Sequence, residues 1–261
     1  MATNDAAIAY STQNIHDCGC LGKGYVRVDV QLENPLFGQA IPCICKRDAQ
    51  AKQKAARDMV LSQISPQHLN TWKFSDYIVK NVSVRQGDNK AVTLAYMHKT
   101  MDDLKAYALH PTGWIVIQGD PGTGKTHLAY ATAIAALTNG LAVYINTIND
   151  MLEDLRAAYS SDMFDDRLGF LKRVELLVID DLGAQRVTDW ASDTLYQIIN
   201  YRYSNNLPLL VTTNVNIGSK DCGIEERVRS RLMDGTAAKG KGLGRIIPMP
   251  VCDYRPQRVT A

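Results

Sequence analysis

No apolar run in this 261-residue chain approaches the length of a membrane span, so the sequence offers no candidate transmembrane helix. The opening residues, M-A-T-N-D-A-A, lack the basic-then-apolar order of an export signal, and a cytoplasmic protein is the expectation. There is no internal repeat and no low-complexity tract, which sets aside solenoids and linker-like chains. Net charge is nearly absent, at +2, so the chain as a whole exerts little pull on polyanions. Cysteine is scarce outside one cluster. Of six, Cys18, Cys20, Cys43 and Cys45 lie close together, and Cys222 and Cys252 stand alone. Without an export signal, a disulfide framework is the weaker reading of them.

The charge that is present is unevenly placed. From residue 220 onward there are nine Lys/Arg against five Asp/Glu, whereas 150–189 holds five basic and ten acidic residues. A basic last part permits a polyanion partner, although a solvated surface gives the same counts. Lys172, Arg173, Lys239 and Lys241 are candidates for such contacts, and each also reads as solvated surface.

Residues 119–126 read G-D-P-G-T-G-K-T, the P-loop pattern of Gly, four residues, then Gly-Lys-Thr. Gly122 and Gly124 can adopt backbone conformations closed to residues with a Cβ, so that successive N–H groups turn inward around phosphate oxygens. Lys125 places a point charge on the β- and γ-phosphates, and the Thr126 hydroxyl is suited to Mg²⁺. Gly119, Asp120, Pro121, Thr123 and His127 complete the expected nucleotide contacts. The flanks agree. W-I-V-I-Q at 114–118 reads as a buried strand, and the Ala-rich stretch from 127 reads as a helix ending near Asn139-Gly140.

Strand and helix then alternate. Strands are expected at 142–146, 175–180, 208–213 and 245–249, and helices at 149–159, 189–205 and 224–233. A further helix is expected at 91–108, with Trp72, Phe74 and Tyr77 as anchors before it. This is an α/β pattern: a three-layer sandwich with a central parallel sheet and ligands at the carboxyl ends of its strands.

The strand L-L-V-I-D-D at 176–181 ends in two carboxylates. Asp180 is expected to hold the Mg²⁺ shell, and Asp181 to polarise the attacking water. Glu often occupies the second position; Asp is one methylene shorter, which suits slow hydrolysis. Asn214, after T-T at the next strand end, can orient water against the γ-phosphate. On the helix R-V-R-S-R at 227–231, Arg227 and Arg231 share a face, while Arg229 has Glu225 one turn back. An unpaired Arg227/Arg231 face suits an arginine finger acting on a neighbour's ATP; Asp234 is the bland partner for Arg231.

In their order, these segments resemble the AAA+ ATPases of the DnaC/DnaI/IstB group. The resemblance is carried by G-W-I-V-I-Q-G-D-P-G-T-G-K-T-H-L-A, D-M-L-E-D-L-R-A-A-Y, L-L-V-I-D-D-L-G, L-P-L-L-V-T-T-N and R-V-R-S-R-L. It covers nearly the whole chain. It implies a bacterial or phage loader of a DnaB-type replicative helicase, hydrolysing ATP with Mg²⁺, binding single-stranded DNA and assembling side by side as a homo-oligomer. By position it implies Walker and sensor roles for Lys125, Thr126, Asp180 and Asn214. It makes Arg231 the finger, with Arg227 second, and gives Arg255 in the D-Y-R tail a place as second sensor.

The first 65 residues carry C-G-C-L-G-K-G-Y and I-P-C-I-C, which resemble the small zinc module found ahead of some loaders of this group. Four thiolates in two pairs suit tetrahedral Zn²⁺. The first pair departs from the usual Cys-x-x-Cys, and His16 is an alternative to Cys18. The expected organisation is a zinc-binding, helicase-contacting module with a linker helix over 1–65 and the ATPase domain over 66–261. A transposition helper of the IstB kind, or a DNA-binding adaptor with little hydrolysis, are the competing expectations.

Overall fold

A computed structural model of the protein describes residues 25–27, 40–42, 71–79, 84–85, 87–185, 188–236 and 244–250. The chain divides into two units, Met1–Ala55 and Ala56–Ala261. In the first, β1 (Tyr25–Arg27) pairs antiparallel with β2 (Ala40–Pro42), Val26 opposite Ile41. The four clustered cysteines and His16 lie outside the described residues.

In the second unit α1 (Lys90–Leu109) leads to β3 (Trp114–Gln118) and α2 (Lys125–Thr138). Then follow β4 (Val143–Thr147), α3 (Ile148–Ala158), a 3₁₀ turn (Tyr159–Ser161), α4 (Phe164–Arg173) and β5 (Leu176–Leu182). The unit continues with α5 (Asp189–Ser204), β6 (Leu209–Thr213), α6 (Glu226–Thr236) and β7 (Arg245–Pro248). The strands form one parallel sheet in the order β4-β5-β6-β3-β7.

The continuous apolar strands follow from burial on both faces. Alternation sends Ile115 and Ile117 of β3 into a core shared with Leu104, Tyr107, Leu128 and Ala133 of α1 and α2. Trp114 and Val116 enter the opposite core, with Met151, Leu155, Leu168, Ile198 and Val228 of α3 to α6. The result is the expected three-layer α/β sandwich. Each large aliphatic side chain removed from water adds about 1.5–3 kcal/mol, so the two cores dominate the favourable side of folding.

Helix starts are set locally. Asn89 Oδ1 accepts the amides of Ala91 and Val92, and Thr147 and Thr188 cap α3 and α5 through their hydroxyls. Of the helices in the second unit, α4 was not expected from the sequence: it fills the link between α3 and β5. Its signal is short but present. Leu168 and Leu171 are buried, Asp165 and Asp166 sit in the first turn, and Lys172 and Arg173 sit in the last.

One buried charge is structural. Arg202 on α5 is fully enclosed and donates to the carbonyls of Leu171, Lys172 and Pro208, tying α4 to the entry of β6. Burial lowers its pKa to about 10, against a partial restoring effect of Tyr107. Among the described residues, no helix is long and apolar enough to cross a membrane.

Candidate functional site

The loop between β3 and α2 folds back on itself. The Asp120 carbonyl accepts both the Thr123 hydroxyl and the Lys125 ammonium, each at 2.8 Å. Gly122 and Gly124 have φ of +83° and +88°, the left-handed region that the phosphate cradle requires. Gly124 is constrained twice: a Cβ there would lie 2.5 Å from the Tyr77 ring. Tyr77 itself is buried, and its hydroxyl donates to the Thr123 carbonyl at 3.3 Å. That bond ties the loop to the segment 71–79.

The carboxylates arrive from β5. The Thr126 hydroxyl donates to Asp180 Oδ1 at 3.1 Å, so the two residues expected to share Mg²⁺ are in contact. Two hard oxygen donors at the head of a helix fit that ion. Asp181 departs from regular strand, with φ +58° and a register shift between Ile179 and Leu182. The Asn214 amide donates to its Oδ1 at 2.6 Å. Asp180, Asp181, Asn214, Lys125 and Thr126 therefore form one cluster, as the sequence order suggests.

Burial sets the electrostatics. It lowers the Lys125 pKa, against the opposing pull of Asp181, Asp180 and Asp120. Burial also raises that of Asp180, against hydrogen bonds from Thr212 and Thr126. A desolvated cation and a desolvated carboxylate side by side suit a site that takes up a metal and a polyphosphate together.

His127 faces away from the loop interior. Its Nε2 lies 3.0 Å from the Lys73 carbonyl, and its ring stacks on Trp72 with centroids 6.1 Å apart. Trp72 also meets Tyr130 edge-on, so residues 71–79 anchor along α2 as expected of Trp72 and Tyr77. The Asp120 side chain pairs with Arg85, which lines a cleft of about 270 Å³ with Gly119, Asn214 and Met249. Sequence reading missed Arg85, because a lone arginine in a polar stretch carries no pattern.

The arginines of α6 require two corrections. Arg227 is not unpaired: it bonds Glu225, and Asp193 at 3.0 Å, and lies over the Tyr196 ring. Glu225 thus serves Arg227 rather than Arg229. Arg231 donates to Asn200 Oδ1 at 3.2 Å and stacks on Tyr203, whose hydroxyl takes up Asp234. Asn200 and Tyr203, like Asp193 and Tyr196, lie on α5, whereas Asp234 belongs to α6 itself. Among the suggested polyanion contacts, Lys172 bonds Gln197, and Arg173 folds over Gly169. Lys239, Lys241 and Arg255 lie outside the described residues.

A second polar-aromatic surface was not anticipated. Tyr159, about half exposed at 55%, stacks on Phe164 with centroids 4.1 Å apart. The Trp190 indole donates to its hydroxyl at 3.1 Å, and the Arg156 guanidinium sits 4.7 Å from the Trp190 ring centroid. An open cleft of about 520 Å³ runs alongside, lined by Asn149, Arg156 and Gln185 among others. The residues come from α3, the 3₁₀ turn, α4 and α5, so no contiguous motif announces them.

A parallel sheet in this order, with the P-loop at β3, paired acidic residues at β5 and an amide at the end of β6, defines a P-loop nucleotide-binding module of the AAA+ kind. The family described as IstB-like ATP binding protein matches residues 93–231, and the chain belongs to it. The replicative helicase loader DnaC of Escherichia coli K12 is 32% identical over 124 residues, 47% of this chain and 51% of that protein. The uncharacterized protein YdaV of the same strain is 31% identical over 172 residues, 66% of this chain and 65% of that one. The chain thus spans about half to two thirds of these relatives' length. A crystal structure of the DnaC helicase loader shares the fold, with a TM-score of 0.53, 21% identity, and coverage of 67% of this chain and 98% of that one.

Proposed function

We propose that the protein is an ATP-dependent loader of a replicative DNA helicase that binds single-stranded DNA. One observation carries the nucleotide part: Thr126 and Asp180, 54 positions apart, meet at 3.1 Å beside the P-loop lysine. Bound ATP with Mg²⁺ supplies the transferable phosphoryl group and a Lewis acid. The loop amides and Lys125 hold phosphate oxygens, and Thr126 and Asp180 hold the metal. Asp181 polarises water, aimed by the Asn214 amide. Arg231 serves a neighbour's site in a side-by-side assembly. The tail residue Arg255 is a second sensor.

The DNA part rests on the Tyr159–Phe164–Trp190 surface with Arg156. Tyr159 is the exposed ring of the three, backed by half-buried Phe164 and Trp190 with the Arg156 guanidinium alongside, and such a ring stacks a base without reading sequence, as single-strand binding needs. The first unit binds Zn²⁺ through Cys18, Cys20, Cys43 and Cys45, or with His16 in place of Cys18, and contacts the helicase. The cysteine spacing supports this, with the antiparallel β1–β2 pair lying between the two cysteine pairs in sequence. One zinc per chain by elemental analysis is the expected result.

The second reading is a transposition helper ATPase, favoured by the IstB-like family match. Co-sedimentation of the full chain with a hexameric DnaB-type helicase separates the two. A stable complex is expected. ATP-dependent DNA binding without any helicase complex would instead favour the helper.

A further inference from the structure

Asp180 and Asp181 are adjacent, yet regular strand alternation would send them to opposite faces of the sheet. They reach one site because β5 bulges at Asp181, where φ is +58° and the register with β6 slips before Leu182 meets Thr213. A bulge re-aims the side chain that follows it, but it also strands a backbone amide. Here the amide is taken up by a side chain: Asp181 N–H donates to Thr212 Oγ1 at 2.9 Å. The same hydroxyl spends its single proton on Asp180 Oδ1, at 2.5 Å. Its proton and one of its lone pairs are committed, which fixes its rotamer. Thr212 is 1% exposed, so water does not compete. On the other side of the bulge the Thr213 hydroxyl donates to the Leu182 carbonyl at 2.6 Å.

We infer that Thr212 is the positioning residue for both acidic groups of the nucleotide site. Its hydroxyl orients the Asp180 carboxylate toward Thr126, and it holds the bulge that turns Asp181 toward Asn214. The inference rests on the nucleotide-site reading above. It adds a residue that touches neither phosphate nor metal.

The test compares Thr212→Val, which keeps the shape and removes the hydroxyl, with Thr212→Ser, which keeps the hydroxyl. Affinity for a fluorescent ATP analogue is titrated with Mg²⁺ and with EDTA, and steady-state turnover and thermal unfolding are measured in parallel. A misplacement of under an ångström costs up to about 100-fold in rate. Thr212→Val is therefore expected to lower kcat by about 10- to 100-fold. It is also expected to lose most of the Mg²⁺-dependent gain in affinity, while affinity in EDTA is unchanged. Thr212→Ser is expected to stay within about threefold of the parent throughout. A valine variant with unchanged Mg²⁺ dependence would overturn the inference, and so would a serine variant as impaired as valine. A valine variant whose losses match its loss of folded protein would overturn it too. Thr212→Ala substitutes for valine if the latter does not accumulate folded. If the parent protein shows no turnover, the ATPase reading fails, and the Mg²⁺ titration still decides the role of Thr212.

Discussion

Asn214 and Asp181 are joined side chain to side chain, the amide donating to the carboxylate Oδ1 at 2.6 Å. The group proposed to polarise water is held by the group proposed to orient it. Asn214→Ala should release Asp181 and lower kcat by about 100-fold, since a single preorganised donor is worth that much. ATP affinity should change by less than about threefold, because the loop and Lys125 are untouched. Pre-steady-state binding and steady-state turnover measure the two separately.

The fold was legible because both faces of the sheet are buried. Runs such as W-I-V-I-Q and L-L-V-I-D-D have no other stable use in a chain punctuated by glycine loops. The nucleotide cluster was legible because Lys125, Thr126 and Asp180 come from two compact motifs. Other features were not, for physical reasons. The bulge at Asp181 depends on hydroxyls of β6, and Thr212 looks like any strand threonine. The Tyr159–Trp190 surface is assembled from four elements. The partners of Arg227 include Asp193 on another helix, which no helical spacing rule brings to mind. The helix α4 was missed because it is short and interrupted by Gly169.

The buried Asp180 carboxylate should cost the protein stability. Burial raises its folded-state pKa above the unfolded value. The native state then binds a proton more readily than the unfolded one, so stability falls as pH rises through the folded pKa. Asp180→Asn keeps an oxygen acceptor for Thr126 and Thr212 and removes the charge. It should raise the melting temperature at pH 7 by roughly a few degrees while abolishing Mg²⁺-dependent nucleotide affinity. The gain should shrink as pH is lowered below the folded pKa of Asp180. Differential scanning fluorimetry across pH measures both trends.

Gly124 meets two independent constraints, its φ of +88° and the Tyr77 ring. Gly124→Ala should cost about 1–3 kcal/mol in strain and contact. Nucleotide binding should fall with it. In a Tyr77→Ala background the same substitution should cost less, because only the backbone constraint remains. Denaturant unfolding of the four proteins gives the coupling directly.

Arg231 stacks on Tyr203 within its own chain, a contact worth about 0.5–2 kcal/mol for a half-buried pair. Arg231→Ala should therefore fold normally and bind ATP like the parent, yet lose DNA-stimulated turnover. Lys125→Ala should lose nucleotide binding by about 100-fold or more. Mixing the two inactive variants should restore part of the turnover, since an intact site then meets an intact Arg231. Turnover that stays at baseline across all mixing ratios would place the finger elsewhere.

If the proposed function holds, Mg²⁺-ATP strengthens single-stranded DNA binding at the surface that Tyr159 forms with Phe164 and Trp190. Fluorescence anisotropy of a labelled oligonucleotide tests it most directly, with the protein titrated in Mg²⁺-ATP and in its absence. Binding should be about tenfold or more tighter with Mg²⁺-ATP. That gain should be lost in Lys125→Ala, and Tyr159→Ala should cost about 1–3 kcal/mol of DNA affinity. Equal affinity with and without nucleotide, or full affinity in the double variant lacking Tyr159 and Trp190, would contradict it.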